Sequence, residues 1–190
     1  MDKEGRAVFL DRDGVINEIV RRDGRPASPR TLDEFRFVDD VDKALKRLRG
    51  GEYRLFVVSN QPDVARGLLA QSVLEQMTHR IKTSMPIDRV MTCIHDDHDG
   101  CTCRKPKPGM LHEVAVSEGI DLFRSFVIGD SWKDVQAGRN AGCATILLRR
   151  EYNRGVEADY SVENMAEAVD LILGETNHGD TNRIIRGNLS

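Results

Sequence analysis

The stretch Val8-Phe9-Leu10-Asp11-Arg12-Asp13-Gly14 joins three apolar residues to two carboxylates and a glycine. A short apolar run that ends at a turn signal is typical of a buried strand. Asp11 and Asp13 would then lie at the carboxyl end of that strand, where ligands bind in open α/β sheets. Two carboxylates this close repel each other unless a cation offsets their charge, and Mg2+ prefers such ligands. The stretch therefore predicts a strand that ends in a magnesium site, although a lone Asp-x-Asp pair is more often a surface turn.

The composition is that of a globular protein in a reducing compartment. The 190 residues are enough for one domain with a substantial core. The net charge of -3 and the lack of a basic block argue against a nucleic-acid partner. No apolar run is long enough to cross a bilayer, and the first residues do not follow the order of a secretion signal. We expect a cytoplasmic monomer that has no membrane partner.

Strand and helix patterns alternate along the chain. After the first strand, further strands are predicted at Arg54–Ser59, Arg89–Cys93, Ser125–Ile128 and Ala144–Leu148. Apolar residues at helical spacing predict helices at Val41–Leu48, Gln71–Ser84, Gly109–Glu118, Lys133–Ala141 and Glu163–Leu173. We interpret the polar stretch Arg21–Glu34 as an irregular loop. This alternation predicts a single-domain α/β fold with a doubly wound parallel sheet and no large cap, over residues 1–174, followed by a polar tail at 175–190.

Polar residues follow the predicted strands at the ends that a parallel sheet brings to one edge. In chain order they are Asp11, Asp13, Ser59, Asn60, Arg104, Lys105, Asp130 and Asp134. The set suits phosphoryl transfer, in which a carboxylate attacks phosphorus, an acid protonates the leaving oxygen, and cations and donors hold the phosphate. Asp11 at the strand tip suits the nucleophile. Asp13 suits the acid, with a pKa that we expect its anionic neighbours to raise.

The segment after the third predicted strand is rich in metal-ligating residues. Three thiols and an imidazole lie within eleven positions, at Cys93, His95, Cys101 and Cys103. Structural zinc sites use this donor set, and four protein ligands leave no open position. The alternatives are free thiols beside a surface histidine, or His98 in place of His95. A zinc here would rigidify the loop that carries Arg104 and Lys105.

Four motifs, in this order along the chain, resemble those of the haloacid dehalogenase (HAD) superfamily phosphatases. They are Asp11-Arg12-Asp13-Gly14-Val15-Ile16-Asn17, Ser59-Asn60-Gln61, Arg104-Lys105-Pro106-Lys107-Pro108-Gly109-Met110, and Gly129-Asp130 with Asp134. The match runs from about Val8 to Leu148. Within the superfamily, the chain is similar to the capless subfamily IIIA branch that contains D,D-heptose 1,7-bisphosphate and histidinol-phosphate phosphatases. These enzymes carry a similar Cys-x-His and Cys-x-Cys loop, which favours structural Zn2+.

The resemblance implies roles for the acidic residues. Asp11 would form an aspartyl-phosphate, and Asp13 would act first as the acid and then as the base that activates water. Mg2+ would be held by the Asp11 carboxylate, the Asp13 backbone carbonyl and Asp130. Asp134 would support the metal or its waters, although a first-turn helix residue favoured by the helix dipole is an equal alternative.

The resemblance also implies a set of substrate-binding residues. Ser59, Asn60 and Lys105 would hold the phosphoryl group. Arg104 and Arg66 would face the rest of the substrate. Arg66 has the alternative of anchoring a loop, and Asn60 that of capping a turn.

The function that the resemblance implies is hydrolysis of a small phosphorylated sugar. D-glycero-D-manno-heptose 1,7-bisphosphate, which would lose its 7-phosphate, is the leading substrate because the run Asn60–Gly67 resembles the heptose enzyme. Histidinol phosphate is the first alternative, since Asp96, Asp97 and Asp99 offer acidic groups to a cationic substrate. A non-catalytic binding protein stapled by zinc is a remote third.

Overall fold

The computed structural model describes residues 5–177, which fold around one central sheet. The strands are β1 (Ala7–Leu10), β2 (Val20–Arg22), β3 (Arg25–Ala27), β4 (Arg54–Asn60), β5 (Arg89–Cys93), β6 (Phe126–Gly129), β7 (Ala144–Leu148) and β8 (Tyr160–Val162). Six of them pair in the order β5-β4-β1-β6-β7-β8, and every neighbouring pair is parallel. All six strands therefore end at one edge.

Helices cover both faces of the sheet. They are α1 (Val41–Gly50), α2 (Gln71–Ser84), α3 (Gly109–Glu118), α4 (Trp132–Ala141) and α5 (Met165–Asn177). Along β1, Val8 and Leu10 pack with α1, α2 and α5, whereas Ala7 and Phe9 pack with α3 and α4. Successive side chains of a strand point to opposite faces, so a strand buried on both sides is apolar throughout. The predicted doubly wound α/β fold is confirmed.

The predicted segments agree with the structure at most of their ends. The bounds of α2, α3, β5 and β7 are the predicted ones. Two differences lie near the carboxyl terminus: the three-residue strand β8 is not predicted, and α5 continues to Asn177, into the predicted tail. The rest of that tail lies outside the described residues. None of the described helices combines the length and the apolar character that a membrane span requires.

The prediction of an irregular loop at Arg21–Glu34 is wrong, because the first part of this stretch belongs to a β-hairpin. Strands β2 and β3 pair antiparallel, with Arg22 opposite Arg25. The two turn residues, Asp23 and Gly24, both have positive φ angles, of 50° and 73°. An Asp-Gly pair is a known sequence signal for such a two-residue hairpin turn. The signal was present in the sequence, but the flanking residues lack the apolar alternation that usually accompanies it.

Candidate active site

A cavity of about 280 Å3 opens at the carboxyl edge of the sheet, and we call it the carboxylate cavity. The predicted site residues that line it are Asp11, Asp13, Asn60, Arg104, Lys105, Asp130 and Asp134. Pro26, Ala27 and Ser28, from β3 and the residues after it, close one side. Residues that are up to 123 positions apart in the chain are thus brought together by the parallel strand order. Ser59 and Arg66 are not part of the lining.

Three carboxylates of this cavity form a group that suits a hard cation. Side-chain oxygens of Asp11, Asp130 and Asp134 all lie within 4.8 Å of one another. Gly14 makes room for them: a Cβ atom there would lie 1.9 Å from Asp130 Oδ2, and its φ of +85° also favours glycine. An all-oxygen donor set at the mouth of a cavity is what Mg2+ binds. The residues present therefore fit the magnesium ion that the sequence predicts.

Lys105 lies among these acids and is almost fully buried. Its Nζ donates to Asp11 Oδ1 at 2.8 Å, to Asp134 Oδ1 at 2.5 Å and to the Val58 carbonyl oxygen at 2.7 Å. Burial lowers the pKa of Lys105, but the charges of Asp11 and Asp134 outweigh it and raise that pKa above its ordinary value. The lysine therefore stays charged and offsets part of the negative charge of the cluster.

Asp134 lies in the first turn of α4, as the alternative interpretation of its sequence position predicts, and it also lies within the carboxylate group; its support of a metal stays a prediction. Its Oδ2 accepts hydrogen bonds from the backbone N and the Oγ of Ser131, at 3.1 and 2.6 Å, in a capping box at the start of α4. Its Oδ1 meanwhile accepts from Lys105. Asp134 thus caps a helix and belongs to the carboxylate group at the same time.

Asp11 is the carboxyl group whose ionised form the other acids of the site disfavour. Burial and the charge of Asp134 raise its pKa well above the ordinary value. Lys105 opposes this rise only in part, because Asp130 and Asp13 add to it. A divalent cation held by the same oxygens would supply the missing positive charge and favour ionised Asp11.

The pKa of Asp13 is lowered, whereas the sequence predicts a raised one. Burial does raise the pKa of Asp13, but the charge of Arg12 and side-chain hydrogen bonds outweigh it, and the pKa is lowered. Arg12, itself buried, donates to both carboxylate oxygens. The other donors, at 2.7–2.9 Å, are Asn17 Nδ2, Ser28 Oγ and Gln61 Nε2. In this state Asp13 is an anion held by four donor side chains.

The two polar residues at the end of β4 form hydrogen bonds with other groups of the protein. Asn60 makes two reciprocal hydrogen bonds with the backbone of Lys105, from Nδ2 to its O and from its N to Oδ1, both of 3.0 Å. Ser59 is buried, and its Oγ accepts from Gln61 Nε2 at 2.9 Å. Asn60 therefore braces the backbone that carries Lys105, while Ser59 lies beneath the cavity.

The two predicted substrate-binding arginines are held by acids of the segment 93–108, which we call the cysteine loop. Arg104 Nε donates to Asp97 Oδ1 at 2.7 Å, and Arg104 also lines the carboxylate cavity. Arg66 donates to both carboxylate oxygens of Asp96, at 2.7 and 2.5 Å. Arg66 therefore anchors the cysteine loop, which is the alternative that the sequence left open for it.

The cysteine loop gathers its four predicted ligands into one cluster. The ligand atoms of Cys93, His95, Cys101 and Cys103 all lie within 4.8 Å of one another. Cys93 Sγ is 3.7 Å from Cys101 Sγ, and His95 Nδ1 is 3.3 Å from Cys103 Sγ. Ligands about 2.3 Å from a central zinc lie about 3.8 Å apart in a tetrahedron, so the cluster fits zinc. His95 is the imidazole of the cluster, and His98 is not part of it.

The thiols of this cluster need a cation to become ligands. All four cysteines of the chain are free. Burial raises the pKa of Cys93 to about 12, so that thiol stays protonated at neutral pH when no metal is present. A bound metal favours the thiolate and displaces the proton. Burial also acts on Cys101, but hydrogen bonds, first that with the Arg104 backbone, outweigh it and lower the pKa of Cys101. The thiols therefore differ before a metal binds, and zinc would hold them all as thiolates.

Sequence reasoning missed the residues that follow β7. A short 3-10 turn, Glu151–Asn153, brings the Tyr152 hydroxyl to donate to Asp130 Oδ2. Asn153 Nδ2 donates to the carbonyl oxygens of Asp130 and Leu148, both at 2.8 Å. These bonds fix the side chain and the backbone of Asp130. No motif marked them, and only the position after a strand end offered a signal.

Comparison with known proteins agrees with this geometry. A family model described as HAD-hydrolase-like matches residues 102–173. The chain is 35% identical to the D-glycero-beta-D-manno-heptose-1,7-bisphosphate 7-phosphatase of Bordetella bronchiseptica, over 90% of this chain and 99% of that protein. It is 31% identical to the alpha-anomer enzyme of Campylobacter jejuni, over 87% and 95% of the two chains.

A solved structure extends the likeness to three dimensions. It is that of the B. bronchiseptica D,D-heptose 1,7-bisphosphate phosphatase, complexed with magnesium and phosphate. The TM-score is 0.77 at 31% identity, and the match covers 90% of this chain and 99% of the other. The carboxylates at one edge of the parallel sheet and these relatives lead to one conclusion: the chain belongs to the HAD-like hydrolase family.

Proposed function

We propose that the chain is a Mg2+-dependent phosphatase that removes the 7-phosphate of D-glycero-D-manno-heptose 1,7-bisphosphate. The observation that carries this proposal is the carboxylate cavity, in which Asp11, Asp13, Asp130 and Lys105 meet at one edge of the sheet. Relatives that bear the name of this activity match nearly their whole length, which supports the same substrate here.

In the first step, a carboxylate oxygen of Asp11 attacks phosphorus while the bond to the sugar oxygen breaks. Asp13 gives its proton to that oxygen, so the sugar leaves as an alcohol and Asp11 becomes an aspartyl-phosphate. In the second step, Asp13 takes a proton from water, whose oxygen attacks phosphorus. The bond between phosphorus and the Asp11 oxygen breaks, which releases inorganic phosphate and restores the Asp11 carboxylate. Asp11, Asp130 and the Asp13 backbone carbonyl would hold Mg2+, which would supply positive charge next to the phosphoryl oxygens.

Asp13 requires a proton before the first step, and the substrate itself favours that proton. The lowered pKa of Asp13 belongs to the site without a phosphate. A phosphoryl dianion beside this carboxylate adds a like charge, which raises the pKa of Asp13. Ser28 and Gln61 then remain as neutral donors at the same oxygens, and they orient the carboxyl group during both proton transfers.

The zinc cluster would have a structural role in this enzyme. Its four ligands leave no position for substrate or water. Cys103, one of its ligands, directly precedes Arg104 in the chain. The cysteine loop is also hydrogen-bonded to Asn60, through the backbone of Lys105. Zinc would therefore fix the position of the two cations that face the phosphate.

The acids of the cysteine loop offer little free charge to a cationic leaving group: of the three, only Asp99 has no arginine partner among the described residues, and its Oδ2 accepts a hydrogen bond from the Asp96 backbone N. Asp96 and Asp97 are paired with Arg66 and Arg104, respectively, and do not offer free negative charge. This argues against histidinol phosphate, for which these acids were the supporting feature. The carboxylate cavity weighs against a non-catalytic binding protein, because it contains the acids and the lysine that the proposed reaction uses.

We also propose that the enzyme acts as a cytoplasmic monomer with one catalytic domain, residues 1–174. All residues that the reaction uses come from one chain and line one cavity. Its cysteines are unpaired, a state that the reducing cytoplasm maintains.

The test is phosphate release with Mg2+ across a substrate panel. The panel contains both anomers of heptose 1,7-bisphosphate, histidinol phosphate, other sugar phosphates and a nucleotide. We expect kcat/KM for one heptose bisphosphate to exceed that for histidinol phosphate by at least about tenfold, the selectivity of roughly one good polar contact. A higher kcat/KM for histidinol phosphate would overturn the assignment.

A further inference from the structure

A second cavity, of about 390 Å3, adjoins the carboxylate cavity. It lies between the cysteine loop and the first turn of α4, and Asp97 and Trp132 belong to its walls. Arg104, Lys105 and Lys133 line both cavities. A molecule that places one end at Asp11 can therefore extend past these three cations into the second cavity.

Most charged groups of the second cavity are already engaged. Arg104 is paired with Asp97, and Asp96 with Arg66. Lys107 Nζ donates to the carbonyl oxygens of Gly100 and Cys101 at 3.3 and 2.6 Å. These bonds leave neither a free carboxylate nor a free guanidinium in the wall. Lys107 keeps its positive charge, but its ammonium group is bonded to these carbonyl oxygens, so a ligand would meet one further cation that the loop does not bind.

That remaining charge is the ammonium group of Lys133. Among the side chains that the structure describes, none forms an ion pair with it. Its Nζ lies 5.9 Å from the centre of the Trp132 ring. Lys133 is the second residue of α4, a helix of ten residues, so the positive end of the helix dipole adds to the positive potential around its ammonium group. The shared wall of the two cavities is therefore suited to an anion.

Trp132 gives the same wall an apolar surface. It is the first residue of α4, and 54% of it is exposed although its neighbours in the cavity are charged. A broad exposed ring beside a cation can cover the carbon face of a sugar while the cation binds an attached phosphate. The Trp132 ring and the Lys133 ammonium group thus lie side by side in the second cavity, which adjoins the cavity that contains Asp11.

We propose that Lys133 and Trp132 are specificity-determining residues of this chain: Lys133 contacts the phosphate that the enzyme does not remove, and Trp132 covers the sugar. The proposal rests on the proposed function, because it requires a substrate with two phosphates. It makes Lys133 the residue that distinguishes a sugar bisphosphate from a sugar monophosphate. The bond that breaks, and the groups that break it, stay the same for both substrates.

The test compares Lys133→Met with wild type on two substrates, heptose 1,7-bisphosphate and heptose 7-phosphate, which carry the same scissile group. We expect kcat/KM for the bisphosphate to fall by about tenfold or more, the usual size of a lost hydrogen bond to a charged group. The value for heptose 7-phosphate should change by less than about twofold, and Lys133→Arg should restore most of the loss. Lys82→Met, at an exposed position in the last turn of α2, is the matched control.

Calorimetric titration with heptose 1-phosphate, the expected product, supplies a readout that does not depend on turnover. Its affinity should fall in Lys133→Met in parallel with the loss for the bisphosphate. Equal losses for both substrates, or unchanged discrimination between them, would overturn the role of Lys133 and leave the phosphatase assignment intact. If wild type hydrolyses neither heptose phosphate but does hydrolyse another ester, the proposed function fails, and this inference fails with it.

Discussion

Two clusters of candidate metal ligands with opposite chemistry lie at the same edge of the sheet in this protein. The carboxylate group of Asp11, Asp130 and Asp134 consists of oxygen ligands that open onto a cavity and surround a buried lysine. The cysteine-loop cluster consists of three sulfurs and one nitrogen, which close around a single point. An open oxygen site leaves room for substrate and water, whereas a closed sulfur site does not. The difference separates the cluster that reacts from the cluster that holds a loop in place.

The two clusters are connected through a few hydrogen bonds. Asn60 pairs with Cys93 in the register of β4 and β5, and its side chain binds the backbone of Lys105. Lys105 in turn donates to Asp11. A disturbance of the closed cluster should therefore reach the open one in weakened form. The following predictions test that order of effects.

Replacement of the nucleophile should have the largest effect. Asp11→Asn retains the size of the side chain but removes the attacking charge, so we expect kcat to fall by on the order of 10^3-fold or more. Zinc content and the free energy of unfolding should stay close to those of wild type. Phosphate release under Mg2+ measures the first effect, and metal analysis with denaturant unfolding measures the others. Full activity in this variant would contradict the mechanism.

Removal of the buried cation should damage both activity and stability. Lys105→Met leaves Asp11 and Asp134 without their shared partner, and the loss of one member of a buried ion pair typically costs about 3–5 kcal/mol. Activity should fall by on the order of 10^2-fold, as for a lost electrostatic contact in a catalytic site. Denaturant unfolding and steady-state kinetics check these values. Lys46→Met, in an exposed pair with Asp42, is the control and should alter neither.

Removal of zinc should have a smaller effect on activity, because it changes the positions of Arg104 and Lys105 without removing either side chain. Chelation, or Cys101→Ser, frees the cysteine loop, and we expect activity to fall by about 10–100-fold, the range for residues that orient a site from outside it. The affinity for Mg2+ should change much less than the activity, because the carboxylate ligands lie outside the loop and are reached through Lys105. Metal analysis should find about one zinc per chain in protein prepared without chelators. A clearly lower zinc content would contradict the closed-cluster interpretation.

Loss of the Tyr152 hydroxyl tests how firmly the open cluster is held. Tyr152→Phe removes the hydrogen bond to Asp130 and keeps the ring. We expect the Mg2+ concentration for half-maximal activity to rise by up to about tenfold, with kcat at saturating Mg2+ nearly unchanged. Calorimetric titration with Mg2+ gives the affinity directly. An unchanged affinity would mean that the surrounding structure alone positions Asp130.

Asp88 offers a reference carboxylate outside both clusters. Burial raises its pKa, but hydrogen bonds from Arg49 and the Leu55 backbone outweigh this effect and lower the pKa. A lowered folded-state pKa means that the carboxylate stabilises the fold above the unfolded pKa, and that this contribution is lost as the pH falls below about 4. Unfolding of Asp88→Asn at several pH values should therefore show a small loss at neutral pH that shrinks under acid. A constant loss would indicate that packing, not charge, is responsible.

The sequence was sufficient for the residues whose signal is local. Each candidate metal ligand lies near the end of a predicted element or in the loop between two of them, and its type already indicates the metal: carboxylates for Mg2+, thiols and imidazole for Zn2+. The apolar runs located the five longer strands of the sheet for the same reason, because burial on both faces requires apolar residues throughout. The hairpin β2–β3 was missed although Asp23 and Gly24 carried its turn signal.

The tertiary structure alone decided the partners of those residues. Asp13 lies 48 positions from Gln61, and Asp130 lies 22 positions from Tyr152, so no local pattern links them. The same holds for the direction of the Asp13 pKa, which depends on donors from three separate segments. The chain by itself determined which elements form and which metals its ligands prefer, because these depend on residue type and short-range periodicity. Strand order and loop packing determined which donors face each carboxylate, because side chains distant in the sequence meet only after the sheet has assembled.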